Sequence, residues 1–256
     1  MAKAKVWNGS AWIDKTPGAK YWNGSAWVSN KPIKFWDGAQ WVTVSSSTSY
    51  PTIFGTPTTA SSTNGGTLNP GFPGGYTWQA NDFGLFIGIS NSATTPTLPS
   101  GWTAIDGFAF GSSYIYGAYR VLQSGDSAPT FTTGTGLKIV AGLTIFRNAV
   151  LDGTPGFTRE SVNQAAHPAP AITTTGVNEL VVYMFGEKSS TNTGWTDPSG
   201  TTRLLQQLTT GSGAVSCLMA YKQVAAATSV GATTASVNGS TSAQATGFTI
   251  ALKGVA

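Results

Sequence analysis

From Tyr76 onward, apolar and polar positions fall into short segments of strand period, divided by turn residues. FGLFIGIS (Phe83–Ser90) is almost continuously apolar, the pattern of a strand covered on both faces. WTAIDGFAF (Trp102–Phe110) follows a PTLPSG turn, and YIYGAYRVLQ (Tyr114–Gln123) alternates so that Ile115, Ala118 and Tyr119 fall near the core. PTFTT (Pro129–Thr133) is short, and LKIVAGLTIFR (Leu137–Arg147) is long and rich in β-branched residues. AITTT (Ala171–Thr175), ELVVYMFGE (Glu179–Glu187), TRLLQQL (Thr202–Leu208), AVSCLMAYKQV (Ala214–Val224), ATTASV (Ala232–Val237) and QATGFTIALK (Gln244–Lys253) bring the total to about ten strands. Only LLQQL offers a place where a short helix competes. The expectation for residues 76–256 is a β-sandwich, jelly-roll-like.

The first 42 residues follow another pattern. KVWNGSAWI (Lys5–Ile13), KYWNGSAWV (Lys20–Val28) and KFWDGAQWV (Lys34–Val42) are three copies of one motif, their first Trp at Trp7, Trp22 and Trp36, spaced by 15 and 14 residues. Asn8-Gly9, Asn23-Gly24 and Asp37-Gly38 are hairpin turn signals, because Asn, Asp and Gly accept the positive φ of a tight turn. Each copy then predicts a β-hairpin with its two Trp facing each other on neighbouring strands. Cross-strand aromatic pairs contribute roughly 0.2–1 kcal/mol each. Six of the nine Trp of the chain, Trp7, Trp12, Trp22, Trp27, Trp36 and Trp41, lie in these copies. They are the candidate site residues, for assembly or for a ligand. Two roles stay open: core between stacked hairpins, or an exposed stacking platform.

Between the two lies SSSTSYPTIFGTPTTASSTNGGTLNPGFPGG, without acidic or basic side chains. Residues 43–75 read as a Ser/Thr/Gly/Pro-rich linker or extended arm, with Tyr50, Ile53, Phe54 and Phe72 as the anchors of the arm. The fold class is therefore all-β throughout: an array of three hairpins over 1–42, a linker or arm over 43–75, and a sandwich over 76–256.

Composition narrows the picture further. Only 9 % of the 256 residues are charged, which suits a protein living within an assembly better than a free monomer. The net charge of +4 belongs to the repeat segment, where Lys3, Lys5, Lys15, Lys20, Lys31 and Lys34 face only Asp14 and Asp37. With no Arg and no dense basic cluster there, nucleic acid is not an expected partner. The single cysteine, Cys217, allows no intrachain disulfide and reads as a buried, inert thiol. No apolar run reaches the ~18 residues of a membrane span, so no membrane insertion is expected.

Catalytic constellations do not emerge. The only histidine, His167 in QAAHPAP, sits among prolines and reads as a loop residue with no zinc partner. There is no G-x-S-x-G elbow and no phosphate loop. Asp106, Asp126, Asp152 and Asp197 read as turn residues. Glu179 and Glu187 bracket one strand on the same face but about 26 Å apart, too far for a carboxylate pair. No enzyme activity, cofactor or metal is expected.

The W-N-G-x-x-W-V copies resemble short repeats found in minor tail and other virion proteins of tailed bacteriophages, particularly those infecting actinobacteria. LPSGWTAIDGF, YGAYRVLQSGD, LTIFRNA, TGVNELVVYMFG and GFTIALKG are similar to a domain of such proteins. The resemblance covers residues 1–42 and roughly 80–254. The copies also resemble aromatic cell-wall-binding repeats of lysins, whose units are longer and richer in Tyr. The resemblance implies a structural virion component, a minor tail protein or tail fibre. The alternatives are a capsid decoration or head fibre protein, or a carbohydrate-binding module for cell-wall glycan. MAKAKVWNG has no apolar h-region, which fits synthesis in the host cytoplasm and residence in the virion. The implied partners are other virion proteins, further copies of the chain in a homo-oligomer with a trimer favoured, and a host cell-surface glycan. Loops 91–101 and 188–200 are the expected contact tips.

Overall fold

The computed structural model describes residues 49–239, 241–242 and 244–255, and before them the runs 5–7, 12–14, 21–22, 25, 27–28, 33–36, 38 and 41–44. Among the described residues every helical or strand element is a strand, and every ladder is antiparallel. The all-β class follows directly.

In the N-terminal segment β1 (Lys5–Trp7) pairs with β2 (Trp12–Asp14), β3 (Tyr21–Trp22) with β4 (Trp27–Val28), and β5 (Ile33–Trp36) with β6 (Trp41–Val44). The registers place Trp7 opposite Trp12, Trp22 opposite Trp27 and Trp36 opposite Trp41. Gly38 takes φ +103°, a conformation that the third turn obtains from a residue without Cβ.

The second compact unit is Tyr50–Val255. Its first half holds β7 (Thr52–Ile53), β8 (Thr58–Ser62), β9 (Gly65–Leu68), β10 (Phe83–Ser90), β11 (Thr103–Phe110), β12 (Ser113–Val121), β13 (Phe131–Thr135) and β14 (Ile139–Arg147). Its second half holds β15 (Ala149–Leu151), β16 (Gly156–Glu160), β17 (Ala166–Ala169), β18 (Ile172–Thr173), β19 (Glu179–Lys188), β20 (Trp195–Thr196), β21 (Thr202–Leu208), β22 (Val215–Val224), β23 (Ser229–Val230), β24 (Thr233–Val237) and β25 (Ala245–Gly254). One six-stranded sheet runs β11-β12-β10-β14, with β7 and β8 both on β14. The other runs β21-β22-β19-β25, with β15 and β16 both on β25.

The two halves share one topology. Each opens on a Gly-Thr-Pro turn, at Gly55 (φ +60°) and Gly153 (φ +71°). Asn81 and Asn178 take positive φ of 64° and 56°, and each precedes a fully buried acid, Asp82 and Glu179. Pro-Ser-Gly leads into both β11 and β21. The β11–β12 ladder shifts register between Ala104 and Asp106, and the β21–β22 ladder between Arg203 and Leu205. Thr103 faces Tyr119 as Thr202 faces Tyr221. The small outer sheets correspond as well: β9 pairs with β13, β17 with β24, and the Thr97–Thr132 bridge stands where β20 pairs with β24. The body is thus two like lobes in tandem.

The layers explain the hydrophobic pattern. Phe83, Leu85, Ile87 and Ile89 of β10 meet Leu180, Val182 and Met184 of β19 in one core between the large sheets. The other face of β10 turns Phe86 toward Leu68 and Phe131, under the β9–β13 sheet. Val181, Tyr183 and Phe185 of β19 likewise lie under Trp195, Ala235 and Val237 of the second outer sheet. Both strands are covered on two sides, hence their unbroken apolar runs.

Three expectations need correction. Residues 50–68 are not a linker, because β7 and β8 pair with β14 and β9 with β13. The compact unit that holds these strands begins at Tyr50 rather than residue 76. TRLLQQL, by contrast, is the expected strand, β21, and its LLQQL stretch is held to β22 rather than turned into a helix. His167 is no loop residue: it lies in β17 opposite Ala235, and β17 is an edge strand where Pro168 leaves no inner ladder bond unmade.

Close approach between layers leaves a testable mark. A Cβ on Gly247 of β25 would lie 2.1 Å from the Pro168 carbonyl oxygen, a backbone atom that cannot rotate away. Gly247→Ala is expected to destabilise the body by about 1–3 kcal/mol, read as a lower urea midpoint at unchanged slope.

Candidate functional site

The six repeat Trp are positioned by three short ladders, and the backbone register brings the two of each copy opposite one another. Directly opposed residues in an antiparallel pair have Cβ atoms about 4.5–5.5 Å apart. Each ladder is two to four residues long, less than a hairpin needs for stability alone in water.

On the body, an exposed aromatic seam lies where β11, an edge of one large sheet, meets β16, an edge of the other. Arg159 donates to both oxygens of Asp106, from Nε at 2.9 Å and Nη2 at 2.6 Å. Its guanidinium lies 3.7 Å from the Phe108 ring centroid and 5.1 Å from that of Phe157. The pair with Asp106 raises the already high Arg159 pKa, and the cation stays fixed. Phe108 and Phe157 are 39 % and 43 % exposed, large apolar surface left open on the body. The opposite seam, between β8 and β21, closes with polar groups instead: Thr59 donates to Gln207 Oε1 at 2.9 Å, and Gln207 Nε2 to Ser61 at 3.0 Å. The fold therefore does not itself require aromatic rings at such a seam.

The four aspartates read as turn residues each hold a cation: Asp106 with Arg159, Asp126 with Arg120, Asp152 with Lys253 and Asp197 with Arg203. Asp106 lies within β11 rather than in a turn. The partners of Asp106 and Asp152 lie 53 and 101 residues away, beyond what local sequence shows, whereas those of Asp126 and Asp197 lie six residues away.

One buried acid pair and one buried lone glutamate resemble catalytic groups and are better explained by architecture. Asp152 accepts from the Thr175 N–H and hydroxyl, both at 2.6 Å, and from Lys253 Nζ at 3.1 Å. Burial works against the Asp152 carboxylate, yet these donors together hold it below the usual carboxylate range. Burial pushes the adjoining Glu179 upward, and the Asp152 charge adds to this. Pairs with pKa values driven apart are the pattern of acid–base catalysis. However, Asp82 in the first lobe has the place of Glu179: the Gln79 N–H donates to it at 2.9 Å as the Gly176 N–H donates to Glu179, and Arg147 Nε lies 3.5 Å away. A feature repeated in both lobes at the start of the central strand fastens the turn to the end of β14 or β25. The lone glutamate is Glu187, whose Oε1 accepts from Ser216 at 2.5 Å and Asn192 at 2.7 Å, while Trp195 Nε1 donates to Ser216 at 2.9 Å. Burial raises the Glu187 pKa against these donors. The network ties β19 to the outer sheet.

His167 is buried edge-on to Trp195, with ring centroids 5.9 Å apart, and neither ring nitrogen has a protein partner. Burial pushes its pKa down to about 4. Cys217 is fully buried and its thiol is pushed up to about 12 by burial. Among the described residues no group of three or more His, Cys, Asp and Glu is placed to hold a metal ion.

No known protein family, curated protein or solved structure matches this chain.

Proposed function

We propose that the protein is a structural component of a tailed-bacteriophage virion, a minor tail protein whose hairpins fasten it to the particle and whose body meets the host surface. The observation that carries this reading is the run of three consecutive small ladders, each with Trp opposite Trp. Units this short bury too little by themselves, so they call for a covering surface from neighbours in an assembly. The body suits exposure: two like lobes of antiparallel strands pack through their large sheets. Its exposed Phe108–Arg159–Phe157 seam adds an aromatic and arginine contact surface of the kind enriched in protein interfaces. The low charge of the chain fits residence among other virion proteins and a closed homo-oligomer, a trimer being the form favoured. A capsid decoration or head fibre is the second reading; it uses the same hairpins at another site of the particle.

Replacing both Trp22 and Trp27 with Ala is expected to remove the protein from particles purified on a density gradient. The thermal unfolding of the body should stay unchanged. Normal incorporation of this variant would refute the anchoring role.

A further inference from the structure

A shallow, open concavity of about 500 Å³ lies on the first lobe between the turn before β11 and the loop after β12. Arg120 forms part of its lining. Its Nε and Nη2 donate to Asp126 Oδ2 and Oδ1 at 2.7 and 2.5 Å, and its Nη1 to the Ser100 carbonyl at 3.2 Å. Asp126 Oδ2 also accepts the Gln123 N–H at 2.9 Å. The guanidinium lies over Gly101, where a Cβ would be 1.8 Å from Nη1, and Gly101 has φ +76°. The site is therefore built: glycine makes room for the cation, and the carboxylate fixes it. Three of the five guanidinium N–H groups are engaged, which leaves two donors. Thr103, Gln123 and Ser124 add uncharged donors and acceptors to the lining. Between the lining residues Val121 and Gln123, the Leu122 carbonyl accepts the indole N–H of Trp78 at 2.9 Å, and Trp78, outside the lining itself, keeps 42 % of its surface exposed.

The second lobe shows that the scaffold does not demand this arrangement. Gly200 stands where Gly101 does, with nothing within 4 Å of its Cβ position. Lys222 stands where Arg120 does, its ammonium 6.0 Å from the Tyr183 ring centroid.

We propose that this concavity is a saccharide subsite. The proposal rests on the host-contact reading and names the ligand class. Arg120 and Asp126 cancel in charge, so a phosphate or carboxylate finds its cation already neutralised. A neutral ring with hydroxyls on its edge and C–H groups on its face matches what remains: fixed donors and acceptors inside, an exposed indole alongside.

Saturation-transfer NMR on the full chain tests it, with the methyl glycosides of glucose, galactose, mannose, N-acetylglucosamine and rhamnose as probes. At least one glycoside should receive saturation from the protein, undisturbed by added inorganic phosphate. Ser124→Trp fills the concavity from an exposed position, and Trp78→Ala removes the adjacent ring. Each should weaken binding at least about tenfold while thermal unfolding by circular dichroism stays the same. No transfer to any of the five, displacement by phosphate, or transfer that survives Ser124→Trp overturns the subsite. The particle reading fails separately, through normal incorporation of the Trp22/Trp27 variant.

Discussion

A fragment starting at residue 76 is expected to lose cooperative unfolding, whereas Tyr50–Val255 should fold and melt as one unit. Residues 50–75 complete both faces of the first lobe. β7 and β8 occupy one long side of β14, and the Phe54 N–H donates to the Ile145 carbonyl at 2.8 Å. β9 covers β13, and Leu68 enters the cluster with Phe86 and Phe131. Ile53 packs on the central core, while Phe54 and Phe72 pack against Leu122, Leu143 and Ile145. Fully burying a large apolar side chain contributes about 1.5–3 kcal/mol, and these four are partly or fully buried, so their loss is of the order of 5–10 kcal/mol. That approaches the whole stability of a typical domain, roughly 5–15 kcal/mol. The bared β14 edge would also invite aggregation. Urea unfolding of the two fragments, followed by circular dichroism, checks this. A shared midpoint would show that 50–75 is dispensable.

His167 should give the body an acid limb of its own. Its folded pKa of about 4 lies below the ordinary 6.5, because burial disfavours the imidazolium more than the Glu160 charge favours it. Between those values the unfolded chain binds the proton and the folded chain does not. Stability from this group is therefore full above pH 6.5 and is lost as pH falls toward 4, by about 3 kcal/mol. Glu179 and Glu187, with raised pKa values, act in the opposite direction, so the whole-protein profile mixes the two signs. The difference between wild type and His167→Phe isolates the histidine. The variant, which also removes two unpartnered buried nitrogens, should gain relative stability steadily from pH 6.5 down to 4. A constant difference across that window would place the imidazole in contact with water.

Much of the architecture was legible because its causes are local. Continuous apolar runs marked β10 and β19, the two strands covered on both faces, and Asn-Gly or Asp-Gly marked the centre of each Trp-bearing copy. The segment 50–75 was misread because β8 (TTASS) and β9 (GGTL) offer few apolar side chains. Their backbone ladders hold them, and these depend on β13 and β14, whose paired residues lie 63–85 positions downstream. The tandem lobes stayed hidden for a related reason. Their shared signals are fragments: Gly-Thr-Pro at 55–57 and 153–155, Pro-Ser-Gly at 99–101 and 198–200, and Ala-Tyr with a basic residue at 118–120 and 220–222. Loops of different length separate them, so no single period appears. The concavity needed the fold outright, because Gly101 and Arg120 meet only once β11 is paired with β12.

The central claim is that the Trp hairpins are an assembly device and the body a separate folded unit. Light scattering on the full chain and on Tyr50–Val255, at matched concentration, tests it most directly. The account predicts an oligomeric mass for the full chain and a monomeric mass for the body. Equal states of association in the two would contradict it.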